Sequence, residues 1–144
     1  MTPRELRIGN IVEVNHYEYG DMYASITSIN DVGDLCLHLL DERFTKEEYE
    51  CTMNEVTPIP ITEELLLKIG FLLPEHKEFY ALLNINGRDE AIRITKYFTS
   101  YNVEIFAEHS DFVLLEHTIK DIRYVHDLQN AYQLVTKKEL TLQL

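Results

Sequence analysis

A chain of 144 residues, 45% hydrophobic and 26% charged, has the apolar content to bury a core, which excludes a disordered chain. Its 13 Lys and Arg stand against 25 Asp and Glu, a formal net charge of -12, and no basic run interrupts that bias. The balance argues against nucleic-acid phosphate and anionic membrane surfaces as partners, because both would repel the chain.

No apolar stretch approaches the roughly 18 residues that cross a bilayer. The opening Met1-Thr2-Pro3-Arg4-Glu5 has no signal-peptide apolar segment, so a cytoplasmic protein is expected. Cys36 and Cys51 fit neither a metal motif nor a disulfide framework, which predicts two reduced thiols. Nothing in the sequence asks for a cofactor.

In chain order, Leu6, Ile8 and then Ile11-Val12-Glu13-Val14 read as an opening strand punctuated by Gly9-Asn10. Residues 16–21 are turn-like and end in Gly20-Asp21. Residues 23–29 alternate, Val32-Gly33-Asp34 makes another turn, and Leu35-Cys36-Leu37-His38-Leu39-Leu40 has a period of two. Short strands at this spacing predict an SH3-like β-barrel lobe. In SH3 domains a loop comparable to His16-Tyr17-Glu18-Tyr19-Gly20-Asp21-Met22-Tyr23 helps line a groove for proline-rich peptides. This chain has no Trp, the central aromatic of that groove, so its tyrosines are expected to be partly buried supports.

Residues 41–55 are acidic and irregular: a solvated loop or frayed helix, or a surface that mimics nucleic-acid phosphates. Residues 1–58 carry 4 basic and 12 acidic side chains, a net of -8, whereas residues 59–144 carry 9 and 13, a net of -4. The acidity is concentrated in the first lobe.

The two prolines of Thr57-Pro58-Ile59-Pro60-Ile61 favour an extended connection. The chain therefore divides into a β-rich N-terminal lobe, 1–57, and a second lobe, 58–144. A short helix should start at Thr62 as N-cap, with Glu63 and Glu64 in the first turn and Gly70 as its stop. An antiparallel four-strand meander follows over residues 79–85, 91–97, 102–107 and 112–116, with Asn86-Gly87 as a hairpin signal. A C-terminal helix over 122–136 closes the chain, with Val125, Leu128, Tyr132 and Val135 as its apolar stripe. The fold class is α+β.

The chemistry-bearing candidates are few. There is no Gly-x-Ser-x-Gly and no phosphate-cradling glycine loop, so the expectation is a non-enzymatic protein. Cys36 and His38 share a strand face, but neither face has a place for an oxyanion hole. His109 and His117, with Glu108, Asp111 and Glu116, could approach across a hairpin and hold a metal, although the spacing matches no known motif. On the C-terminal helix His126, Gln129, Asn130 and Gln133 share one face, opposite the apolar stripe. Neutral hydrogen-bonding groups there suit a contact with backbone, either of the first lobe or of another chain. That face is the candidate interaction site.

Three segments carry a resemblance: Leu6-Arg7-Ile8-Gly9-Asn10, Pro58-Ile59-Pro60-Ile61-Thr62-Glu63-Glu64-Leu65-Leu66-Leu67-Lys68-Ile69-Gly70-Phe71, and Tyr124-Val125-His126-Asp127-Leu128-Gln129-Asn130-Ala131-Tyr132. Their order and spacing resemble a family of uncharacterised small proteins from gut-type bacteria, their phages and mobile elements. The resemblance spans most of the chain and implies this layout and a link to mobile elements. It implies no activity and no catalytic residues. Leu65 stands where that family often has Trp, Ile69 where it often has Phe, and Lys137 where a Gly often follows the last helix. The leading expectation is an accessory module that binds an unknown protein partner or forms a homo-oligomer, without direct nucleic-acid or membrane binding. The alternatives are an acidic inhibitor that blocks a basic nucleic-acid-binding site and a metal-dependent hydrolase.

Overall fold

The computed structural model describes residues 5–44, 48–73, 75, 78–82, 85, 90–108 and 114–144. The protein is α+β. It folds as two compact units, one of Met1–Pro60 with Tyr124–Asn130, the other of Ile61–Arg123 with Ala131–Leu144.

The first unit is a curled sheet of five antiparallel strands, a half-barrel, in the order β4-β3-β2-β1-β5. Its strands are β1 (Ile11–His16), β2 (Gly20–Ile29), β3 (Asp34–Leu39), β4 (Glu48–Thr52) and β5 (Val56–Thr57). A 3-10 turn, Met53–Glu55, leads into β5. That strand order, with such a turn before the last strand, is SH3-like. Alternation sorts the strands by face: Leu35, Leu37 and Leu39 are buried while Cys36 and His38 are half-buried. The core gathers Val12, Val14, Ala24, Ile26, Leu35 and Leu37 beneath the curl.

Residues 41–55, read from sequence as an irregular loop or frayed helix, contain an edge strand. In β4 the half-buried Tyr49 and the buried Cys51 alternate with exposed Glu48 and Glu50. Because β4 is an edge, a single buried side chain suffices to anchor it, and its outward carboxylates deter edge-to-edge pairing. Cys36 pairs with Glu50, and Cys51 with Leu35. The two thiols therefore point to opposite faces of the sheet. Burial pushes the Cys51 thiol up to about 11, with Glu55 and Cys36 adding to the shift.

In the second unit α1 (Glu63–Lys68) begins where Thr62 accepts from Leu65 N at 3.1 Å. It ends in a Schellman turn. Gly70, at φ 101, lets Phe71 N reach Leu66 O at 2.9 Å and Gly70 N reach Leu67 O at 3.2 Å. A four-stranded antiparallel meander follows: β6 (Phe79–Leu82), β7 (Ala91–Tyr97), β8 (Ser100–Glu108) and β9 (Leu114–Ile122). Ile92, Ile94, Val103 and Ile105 fill one face and are fully buried. The Asn86-Gly87 turn lies outside the described residues.

The C-terminal helix α2 (Val125–Thr136) contributes its first six residues to the first unit and the rest to the second. The sequence division at 57/58 assigned the whole helix to the C-terminal half. In the first unit, Val125 N bonds Ile59 O at 2.9 Å, and Pro60 bridges Tyr124. In the second unit, Tyr132 donates its hydroxyl to the buried Glu90 carboxylate, which Lys138 also contacts.

Candidate functional site

The polar face of α2 turns inward. Gln129, 2% exposed, accepts from Ile11 N at 2.8 Å and donates from Nε2 to Gly9 O at 3.1 Å. The Asn130 side-chain oxygen accepts from Arg7 Nε at 2.7 Å and Asn10 Nδ2 at 2.9 Å, while its amide donates to Glu5 O at 2.9 Å. Arg7 Nη2 adds a bond to Gln129 O at 3.2 Å. The segment so held is itself tied to the sheet: Gly9 N donates to Ile26 O at 2.8 Å, and Ile26 N to Asn10 O at 2.9 Å. Gln129 and Asn130 thus satisfy backbone of their own unit. For these two residues the reading as an external interaction face gives way to the internal alternative, because side-chain amides are the groups that can answer both N–H and C=O.

His126 is 3% exposed and stacks on Tyr124, with ring centroids 5.7 Å apart and planes 4° from parallel. Its Nε2 lies 3.4 Å from Asp127 Oδ1, and its Nδ1 has no hydrogen-bond partner among the described residues. Burial lowers its pKa, against the opposing pull of Asp127 and Glu5. Gln133 is half-buried in the second unit. His109 and the side chain of His117 lie outside the described residues, and no group of three or more metal-ligating side chains is present among the described ones.

A different surface stands out in the first unit. The β1–β2 hairpin turns through Tyr17, Glu18 and Tyr19, closing on Gly20 at φ 76. A Cβ at Gly20 would meet nothing within 4 Å, so it is the left-handed backbone and not crowding that asks for glycine. Tyr17 is 79% exposed and Tyr19 47%, where the sequence predicted partly buried supports. A three-residue turn projects its side chains away from the sheet, and only His16 at its base is buried. The His16 ring stacks on Tyr17 at 4.6 Å and lies 5.1 Å from Tyr19 and 5.3 Å from Tyr49.

The 3-10 turn Glu42–Phe44 supplies the other half of the cluster. Phe44 packs on Tyr19 with centroids 4.9 Å apart. The Arg43 guanidinium lies 5.3 Å over the Tyr19 ring and 5.5 Å over Phe44. Asp41 grips its edge, with Nε to Oδ1 at 2.9 Å and Nη2 to Oδ2 at 2.7 Å. That pairing holds the Asp41 carboxyl down at about 2 and raises Arg43. Glu18, hydrogen-bonding to the phenol, raises Tyr19. Glu18, Glu42 and Glu48, each adjacent in sequence to a member of the cluster, are exposed.

The result is an aromatic platform with one guanidinium held over it and carboxylates beside it. Sequence reasoning singled out the tyrosines but not Arg43, Phe44 or Tyr49. The signal was there, since Arg43-Phe44 is a basic-aromatic pair inside the acidic stretch, but the pairing that brings it to the hairpin is long-range. Compared with protein-family models, with curated proteins and with solved structures, the chain matches none.

Proposed function

We propose that this chain is a protein-binding module whose recognition surface is the platform of Tyr17, Tyr19 and Arg43. The observation that supports it is a large exposed aromatic area joined to an arginine already held in place. Tyr and Arg dominate the energetics of protein interfaces. An arginine fixed by Asp41 and two rings loses little side-chain freedom on binding. The neighbouring carboxylates and the net charge of -8 over residues 1–58 favour a partner that presents Lys or Arg. Together with the family resemblance, this gives an accessory protein of a phage or mobile element acting on another protein.

The test is capture of partners from the native host by the wild-type chain and by a Tyr17→Ser/Tyr19→Ser double variant. The variant is expected to stay folded, with a melting temperature lowered only by the loss of the ring contacts to His16, Phe44 and Arg43, and to lose the partner. Retention of the same partner by a folded double variant contradicts the proposal.

A second reading makes the partner a nucleic-acid-binding protein that the acidic edge blocks. What favours it is β4, an edge strand with Glu48 and Glu50 exposed, about 7 Å apart along the strand. Duplex DNA would then compete with this chain for the captured partner. Capture unaffected by DNA leaves the platform reading alone.

A further inference from the structure

The β7–β8 hairpin turns through two residues, Phe98 and Thr99, between the paired Tyr97 and Ser100. Phe98 sits at φ 54, in the left-handed region. Two-residue hairpins that need positive φ at the first loop position ordinarily place Gly there, and a Cβ-bearing residue raises the energy of the folded chain. Phe98 recovers none of that by burial. It is 83% exposed, and its neighbour Tyr97, in edge-to-face contact at 4.9 Å, is 57% exposed. A strained backbone that displays two aromatic rings to solvent is unfavourable for folding alone, which points to a role outside the folded unit.

Beside the tip lies a hollow of about 250 Å³ lined by Ile61, Thr62, Glu63, Lys96 and Tyr101, with Phe98 itself as one wall. We propose that two copies of this chain associate here about a twofold axis, Phe98 of each copy entering the hollow beside Lys96 and Tyr101 of the other. A protruding ring next to a hollow that accepts one is self-complementary under a twofold, and each contact is made twice.

The charge distribution favours a second copy over other occupants. A net charge of -12 repels nucleic acid and anionic lipid. It also opposes self-association through the acidic residues 1–58. At the hollow, however, the charges balance, since exposed Lys96 pairs with exposed Glu63 at 3.1 Å. With Phe98 83% and Tyr97 57% exposed, the two rings of each copy can bury roughly 400–700 Å² in a dimer, the range of weak, reversible contacts. This surface is separate from the Tyr17, Tyr19 and Arg43 platform, and the inference stands without it.

Sedimentation velocity of the full chain, over roughly 10 µM to 1 mM, tests the proposal. Wild type is expected to shift reversibly from monomer to dimer with concentration. Phe98→Asn is expected to weaken the dimer about tenfold or more. Measured in dilute solution, its melting temperature should be unchanged or higher, because Asn tolerates the left-handed backbone. Wild type that stays monomeric across the series overturns the proposal. So does Phe98→Asn that self-associates like wild type. A Phe98→Asn variant with a lower melting temperature also overturns it, since Phe98 would then serve the unit's own packing.

Discussion

An imidazole with 3% of its surface exposed and no acceptor or donor for Nδ1 among the described residues holds a neutral ring better than a charged one. His126 follows that rule. Burial lowers its pKa below the ordinary 6.5, and Asp127 and Glu5 offset only part of the shift. The linkage sign follows directly. Above 6.5 both folded and unfolded chains carry a neutral ring, and the group adds no pH dependence. Below it the unfolded chain takes up a proton that the folded chain resists, so stability falls as pH falls, by up to about 1.4 kcal/mol per pH unit from this group. Melting curves between pH 7.5 and 5.5 should therefore drop for wild type and flatten for His126→Phe, which keeps a ring stacked on Tyr124 but cannot titrate. Parallel curves for the two proteins would show that another group carries the acid sensitivity. The pattern of neutral polar residues was visible in the sequence, but the burial of this one was not. Residues far away in the chain, Glu5 and Pro58, line the hollow beside it.

At the scale of elements, local chemistry was legible and long-range pairing was not. Thr62 and Gly70 marked both ends of α1, and alternation marked the strands of the half-barrel, because those signals lie within a few residues of one another. Among the features not legible are β4 and the β7–β8 turn. β4 was hidden by its own carboxylates, since an edge strand needs little apolar alternation. The β7–β8 turn was hidden because Phe98-Thr99 carries no glycine, asparagine or proline. The start of α2 was legible as a face but ambiguous in its partner. Its amides proved to bind backbone of the first unit, and the segments Leu6-Arg7-Ile8-Gly9-Asn10 and Tyr124–Asn130 meet in that network. Gln129→Ala should cost about 1–3 kcal/mol, because Ile11 N and Gly9 O are left without their partners in a buried place. Chemical denaturation would read this as a lower midpoint with an unchanged slope. An unaltered midpoint would mean that water replaces the amide at no cost.

The whole molecule carries its charge unevenly, -8 over residues 1–58 and -4 over residues 59–144, and this gives the two proposed associations opposite responses to salt. Binding of a Lys- or Arg-bearing partner to the platform brings unlike charges together at a solvent-exposed surface. Salt shortens the reach of that attraction to about 10 Å at 0.1 M and to about 3 Å at 1 M. The association rate should fall first, since long-range steering is the component most exposed to screening. Self-association through the Phe98 tip brings together two chains of net charge -12 at a place where local charges balance. There the screened quantity is repulsion, while the favourable part is apolar burial, which salt does not weaken. Raising sodium chloride from roughly 50 mM to 500 mM should thus weaken partner capture and leave the dimer constant unchanged or stronger. Both can be measured on one preparation, partner binding by surface plasmon resonance and dimerisation by sedimentation. A dimer that dissociates with salt would indicate contact through paired charges, with Lys96 against Glu63 of the second copy as the first pair to test. Partner binding indifferent to salt would place the energy in the tyrosine rings alone and remove the case for a basic partner.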